Sequence, residues 1–121
     1  MEREDSHHFE INIPTYAEPV SAEDLREGEV YFSVQYADES LLLPIVETLV
    51  FTGVKKDEDG SVICCFQDLM SHQQGIRHGS QKGEGALFYF QRANQLRHIF
   101  EYDFALGELI KCSLRRQTSR H

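Results

Sequence analysis

The side chains best suited to chemistry lie close together in the sequence, between Ser61 and His78. The stretch SVICCFQD places Cys64 beside Cys65 and ends in Asp68, and histidines follow in the next residues. A thiol near an imidazole base and an orienting carboxylate is an arrangement used in nucleophilic catalysis. Cysteines and histidines at suitable spacing bind zinc instead. The segment therefore raises two hypotheses, a cysteine nucleophile and a metal site.

The spacing of the two cysteines argues against the metal site. On a strand, adjacent side chains point to opposite faces, so Cys64 and Cys65 cannot easily share one ion. A disulfide between neighbours would distort the peptide bond, and the pair is not the C-x-x-C of redox and zinc motifs. We expect Cys64 to face the core with Val62 and Phe66, and Cys65 to lie on the other face beside Ile63. No metal and no other cofactor is predicted.

A nucleophilic Cys65 would need His72 or His98 as a base and a group such as Asp68 to orient it. These residue types are all present, but no protease or thioredoxin motif surrounds them. We therefore assign no catalytic residue. A small cysteine- or histidine-dependent enzyme acting on an anionic small substrate stays as the alternative to a non-catalytic domain.

The long polar segment from Asp68 to Gly85 is the natural place for a binding surface, because binding residues are concentrated in loops. Its candidate residues are Asp68, His72, Arg77 and His78. The cationic RHGSQKG favours an anionic group, and protonation of the histidines near about pH 6 would strengthen that preference. A plain surface loop is the alternative.

Two tyrosines form a second candidate surface. Alternation along EVYFSVQY and ALFYF places Tyr31 and Tyr89 on the faces opposite Phe32 and Phe88. We expect Tyr31 and Tyr89 to form an outer, half-exposed aromatic surface of the kind that interaction modules use. Alternatively, they cover a second sheet face beneath a C-terminal helix.

The elements that position these residues follow from periodicity and turn signals. A period of two predicts strands over EVYFSVQY, SVICCF and ALFYF. LLLPIVETLVFTG is read as one long bent strand with a bulge or edge near Pro44 and Glu47, followed by a hairpin at Asp59-Gly60. Asp68 should cap a helical turn that Gly75 ends, and LRHIFEY is a possible return strand.

Asp103 should then cap a C-terminal helix, in which an apolar stripe repeats at helical spacing. The members of this stripe are Leu106, Leu109, Ile110 and Leu114. Short antiparallel strands followed by one helix predict an α+β fold, either a small curled sheet or an SH3-like barrel with a C-terminal helix. Residues 1–20 are expected to be a mobile N-terminal arm, and 21–121 a single globular domain.

Charge and composition narrow the class of function. The net charge is −8, with a balance of −11 over residues 1–60 (15 acidic, 4 basic) and +3 over 61–121 (5 acidic, 8 basic). An acidic chain is poorly suited to nucleic acid, and Glu84 and Ala86 occupy positions where an RNA-binding strand would carry stacking aromatics. We expect no nucleic-acid or membrane partner.

The three cysteines, with no secretory signal at the N-terminus, predict a cytoplasmic protein. Together, these features favour a non-catalytic interaction or adaptor domain. Its partner is expected to be another protein or a second copy of the chain, since a polarised surface steers association.

Overall fold

A computed structural model describes residues 18–78 and 86–119. Most of the predicted arm, and residues 79–85 of the polar segment, lie outside the described residues. The five strands are β1 (Val30–Tyr36), β2 (Pro44–Lys56), β3 (Val62–Asp68), β4 (Phe88–Arg92) and β5 (Ile99–Phe100). The helices are a 3₁₀ turn (Ala22–Asp24), α1 (Leu69–Gln73) and α2 (Tyr102–Ser119).

The strands form one antiparallel sheet in the order β4-β3-β2-β1-β5. The predicted α+β fold with a C-terminal helix is confirmed. Of its two forms, the chain adopts the curled sheet, because β4 and β5 lie at opposite edges and do not close a barrel. No helix among the described residues is long and apolar enough to cross a membrane.

Strand β2 is the long bent strand that its sequence predicts. Its first part pairs with β1, and from Leu49 onward it pairs with β3. The region of Pro44 and Glu47 is an edge, one of its two expected forms, since residues 44–48 pair with β1 in regular register and not with β3. The bulge lies between Phe51 and Gly53 instead. Gly53 has a φ of 131°, which a residue with a Cβ rarely adopts, so glycine permits the bend here.

The two faces of the sheet are covered by different parts of the chain. One face carries the main core and is covered by residues 20–25 and 93–98. The buried members of this core are Val20, Tyr31, Leu49, Phe51, Cys64, Phe66, Leu96 and Ile99. On the other face, α2 packs over β1 and β5 through a smaller cluster of Val34, Phe100 and Ala105.

Several local predictions are confirmed, and others need correction. Cys64 is fully buried, whereas Val62, expected beside it in the core, is 40% exposed near the start of β3. The return strand predicted over LRHIFEY consists of Ile99–Phe100 alone. Helix α2 begins at Tyr102, before the predicted cap Asp103.

Candidate functional site

The Asp68 carboxylate accepts hydrogen bonds from Ser71 and Leu87. It ends β3 and caps α1, where its Oδ2 accepts a hydrogen bond from Ser71 N at 3.0 Å. Its Oδ1 accepts from Ser71 Oγ at 2.5 Å and from Leu87 N at 2.9 Å. Desolvation raises the pKa of Asp68, but these hydrogen bonds outweigh it, and the net pKa is lowered. The carboxylate therefore serves to fix α1 and the start of β4.

Gln67, which sequence reasoning had missed, ties the same turn to the sheet. The side chain is fully buried, and its Nε2 donates to Ser71 Oγ at 2.8 Å and to the Ile76 carbonyl at 2.7 Å. Its Oε1 has no hydrogen-bond partner among the described residues. A buried glutamine within an apolar strand is the sequence signal for such a tie, since buried polar groups need partners.

The three cationic candidates that follow Asp68, namely His72, Arg77 and His78, make different contacts. Arg77 Nη1 donates to the carbonyls of His72 and Ile76, at 3.1 and 2.7 Å. Desolvation and the charge of Arg77 lower the pKa of His72, which opposes its protonation near about pH 6. His78 packs edge-on against Phe88 and Phe90, with centroids 5.1 and 5.3 Å apart.

Cys65 and His98 lie on opposite faces of the sheet, so His98 cannot act as a base for this thiol. Cys65 Sγ lies 4.0 Å from the Ile63 carbonyl oxygen. Burial raises the pKa of the Cys65 thiol, which the nearby Lys55 only partly offsets. Among residues 18–78 and 86–119, no group of three His, Cys, Asp or Glu side chains is placed to hold a metal ion.

The expected half-exposed surface of two tyrosines does not form, because Tyr31 is buried while Tyr89 is half-buried. Tyr31 is only 4% exposed and lies in the main core, where its hydroxyl accepts a hydrogen bond from Arg26 N at 2.9 Å. Tyr89 packs against the same core and donates to Glu47 Oε2 at 2.8 Å. The alternative, that both tyrosines lie beneath the C-terminal helix, is also wrong. Residues 20–25 and 93–98 cover this face of the sheet instead.

A small cavity lies on this covered face beside Tyr89. Its volume is about 20 Å³, and its lining includes Ser33, Gln35 and His98. A water molecule needs roughly 10–15 Å³ of such space. The cavity therefore has room for about one water molecule and is too small for a substrate.

Helix α2 carries the most unusual surface of the described residues. Three of the four residues of its predicted apolar stripe, Leu106, Ile110 and Leu114, are exposed. Tyr102 is 76% exposed, Leu106 44%, Ile110 38% and Leu114 56%. Residues four apart lie on one side of a helix, so these four side chains form a single line, which we call the α2 apolar face. Of the predicted stripe, only Leu109 packs against the sheet cluster.

A polar cluster sets this rotation of the helix. The Tyr36 hydroxyl donates to a carboxylate oxygen of Glu108, and Arg115 Nη2 donates to the Tyr36 oxygen at 2.8 Å. Arg115 also pairs with Glu108 at 3.6 Å and donates through Nε to the Leu41 carbonyl at 2.9 Å. Burial, together with Glu108, raises the pKa of Tyr36 to about 12. These bonds require Glu108 and Arg115 to face β1 and the loop that follows it.

An apolar groove runs beside the α2 apolar face, between the helix and the sheet. Its volume is about 160 Å³. Its lining consists of Phe32, Val46, Tyr102, Ala105, Leu106 and Leu109. Tyr102 meets Phe32 edge-on with centroids 4.7 Å apart, and Val46 is 44% exposed. The groove and the helix face therefore form one continuous apolar surface.

Comparison of the chain with protein-family models, with curated proteins and with solved structures finds no match. We therefore infer function from the residues and their geometry.

Proposed function

We propose that this chain is a non-catalytic protein-interaction domain that binds an amphipathic partner helix on the α2 apolar face. The observation that carries the proposal is the orientation of α2. The four large side chains of the α2 apolar face point outward, while Ala105, Glu108 and Cys112 face the sheet side.

Single exposed apolar residues are normal on protein surfaces, whereas a contiguous apolar patch usually marks an interaction site. The α2 apolar face has four large side chains in a line and an adjoining groove. Full burial of a leucine or isoleucine side chain contributes about 1.5–3 kcal/mol, so covering these partly exposed groups offers a substantial driving force.

The surface also indicates the chemistry of the partner. A line of anchors spaced four residues apart, beside a groove, suits the helix-in-groove mode of recognition. Asp103 lies near the N-terminal end of the face, and Lys111 and Arg116 lie in the C-terminal half of α2. A matching partner helix presents apolar side chains in the centre, a cation toward Asp103 and a carboxylate toward Lys111 and Arg116.

The catalytic alternative lacks comparable support. A nucleophilic cysteine is activated by a lowered pKa or an adjacent base, but burial raises the pKa of Cys65, and His98 lies on the other sheet face. We place the interaction domain in the cytoplasm, because Cys64, Cys65 and Cys112 are all free thiols.

Site-specific photocrosslinking tests the proposal. A benzophenone amino acid replaces Ile110 in the chain expressed in its native cells, and a matched control carries it at Val54, which is 61% exposed on the distal half of β2. We expect one discrete protein adduct from position 110 and none from position 54. Leu106→Lys should abolish that adduct.

The loss must not arise from unfolding. Because Leu106 is exposed, Leu106→Lys should change the free energy of unfolding of the isolated chain by no more than about 0.5 kcal/mol. Absence of an adduct at position 110, or the same adducts at positions 110 and 54, would contradict the proposed function.

A further inference from the structure

We infer that the helix bound on the α2 apolar face is α2 of a second copy of this chain, packed antiparallel about a two-fold axis. This inference rests on the proposed function and names its partner. It follows from the symmetry of the apolar face and from the distribution of charge along the helix.

The α2 apolar face has the symmetry that self-association requires. A two-fold contact uses the same patch on both copies, so each residue must match its counterpart across the axis. The four apolar side chains are evenly spaced around position 108. An antiparallel pair centred there places Tyr102 opposite Leu114 and Leu106 opposite Ile110 of the second copy. Every large apolar side chain of the line then meets another.

The charges along α2 favour the same orientation. Asp103 lies in the first turn, whereas Lys111 and Arg116 lie in the C-terminal half. In an antiparallel pair Asp103 approaches the partner helix's cationic half, and the helix dipoles oppose each other favourably. In a parallel pair Asp103 would lie beside its own counterpart. The Lys111 ammonium lies 3.6 Å from Glu108, and its 39%-exposed side chain can exchange this ion pair for one with a carboxylate of the second copy.

The charge of α2 also lowers the electrostatic repulsion between two acidic molecules that associate through it. The balance of −11 belongs to residues 1–60, while residues 61–121 carry +3. Helix α2 itself holds two acidic and three basic residues. A contact through α2 therefore joins the two copies through a helix whose own balance is +1, and it covers the four apolar side chains of both copies.

Sedimentation equilibrium of the purified chain tests the dimer. We expect the wild type to reach twice the monomer mass of 14.0 kDa as concentration rises. Ile110→Lys should remain monomeric, and Leu106→Lys should do the same as an independent variant. The matched control Val54→Lys, an equally drastic change on an exposed side chain, should still dimerise. Circular dichroism verifies that each variant is folded.

Crosslinking tests the orientation. Tyr102→Cys and Leu114→Cys are made separately in a Cys65→Ser background and treated with a short bis-maleimide. In the antiparallel pair, the mixture of the two variants gives a covalent dimer. Either variant alone gives little, because identical positions are then about 18 Å apart along the helices. The reverse pattern indicates a parallel pair and overturns the inference.

The outcomes also separate the two proposals. A chain that stays monomeric in solution, but gives a discrete adduct with a different protein from position 110 in cells, overturns the second-copy inference and leaves the proposed function intact. A dimer unaffected by Ile110→Lys and Leu106→Lys overturns the inference as well. If neither a dimer nor an adduct forms, both proposals fail.

Discussion

At the scale of single residues, the carboxylate of Asp68 ends a strand, caps a helix and anchors the chain where it returns at Leu87. Its hydrogen bonds run to Ser71 in the following turn and to Leu87, 19 residues later in the chain. The buried Gln67 side chain donates further hydrogen bonds to Ser71 Oγ and to the Ile76 carbonyl of the same turn. Hydrogen bonds thus hold α1, Ile76 and Leu87 around Asp68 and Gln67, so we expect the Asp68 carboxylate to contribute to stability.

Replacing Asp68 should therefore destabilise the fold. We expect Asp68→Ala to lower the free energy of unfolding by about 1–2 kcal/mol, the usual cost of losing an N-cap. Asp68→Asn should lose less, because asparagine caps helices about as well as aspartate. Urea unfolding at neutral pH measures both. Equal stability of Asp68→Ala and wild type would show that the cap contributes nothing.

The difference in free energy of unfolding between wild type and Asp68→Asn should depend on pH. The pKa of Asp68 is lower in the folded chain than the value of about 3.9 for a free aspartate. Its charge-dependent stabilisation is therefore present above about pH 4 and is lost as pH falls through the lower folded pKa. The stability difference between wild type and Asp68→Asn should shrink over that acidic range.

At the scale of elements, α2 is attached to the sheet by polar groups as well as by packing. Tyr36, Glu108 and Arg115 form a hydrogen-bonded cluster between β1 and α2. Cys112 Sγ adds a weak contact to the Leu42 carbonyl at 3.7 Å. Because the helix presents these residues inward, the four side chains of the α2 apolar face remain outside, while Phe104 and Leu109 pack against the sheet cluster. The rotation of one helix thus creates the proposed interaction surface.

Tyr36→Phe should weaken this attachment in a pH-dependent manner. Below about pH 10 we expect the wild type to be more stable by about 1–2 kcal/mol, since the variant leaves Glu108 and Arg115 without the hydroxyl. The pKa of Tyr36 rises from 10.0 to about 12 on folding. The unfolded chain therefore loses the proton first, and the advantage declines as pH rises from 10 to about 12.

Denaturant unfolding from pH 8 to 12 measures this difference. Tyr89→Phe provides a second, independent case, because burial and Glu47 raise the pKa of Tyr89 to about 12 as well. A difference from wild type that stays constant across this range at both positions would contradict the assignment of the two hydroxyls as buried hydrogen-bond donors.

At the scale of the whole molecule, the described residues form one sheet whose two faces are covered unequally. Residues 20–25 and 93–98 cover one face and complete the main core. Helix α2 covers only part of the other face and leaves a groove over Val46. The proposed dimer would cover this incomplete side, so that folding and association bury parts of the same surface.

Thermal stability should therefore depend on chain concentration. A dimer is stabilised by mass action, so the wild-type Tm should rise by about 3–5 °C for each tenfold increase in concentration. Ile110→Lys should show a Tm independent of concentration, close to the wild-type value at high dilution. Differential scanning calorimetry over a hundredfold concentration range makes the comparison. A wild-type Tm that does not change with concentration would argue against a dimer.

Much of the fold could be predicted from the sequence, because its causes are local. Alternation of apolar and polar residues identified β1 and β3, and Asp68 marked the start of α1. The same alternation separated Cys64 from Cys65, which the structure places on opposite faces of β3. The placement of the two thiols on opposite faces follows from that two-residue period.

The sequence by itself could not determine which side of α2 faces the sheet. It contains one stripe of large apolar residues and another formed by Ala105, Glu108, Cys112 and Arg115. An apolar stripe at helical spacing usually faces the core. The tertiary structure places the second inward, because Glu108 finds its partner in Tyr36, 72 residues earlier in the chain. The burial of Tyr31 likewise depends on residues 20–25 and 93–98 folding over its face. Such choices depend on contacts between distant segments, and a local pattern contains no information about them.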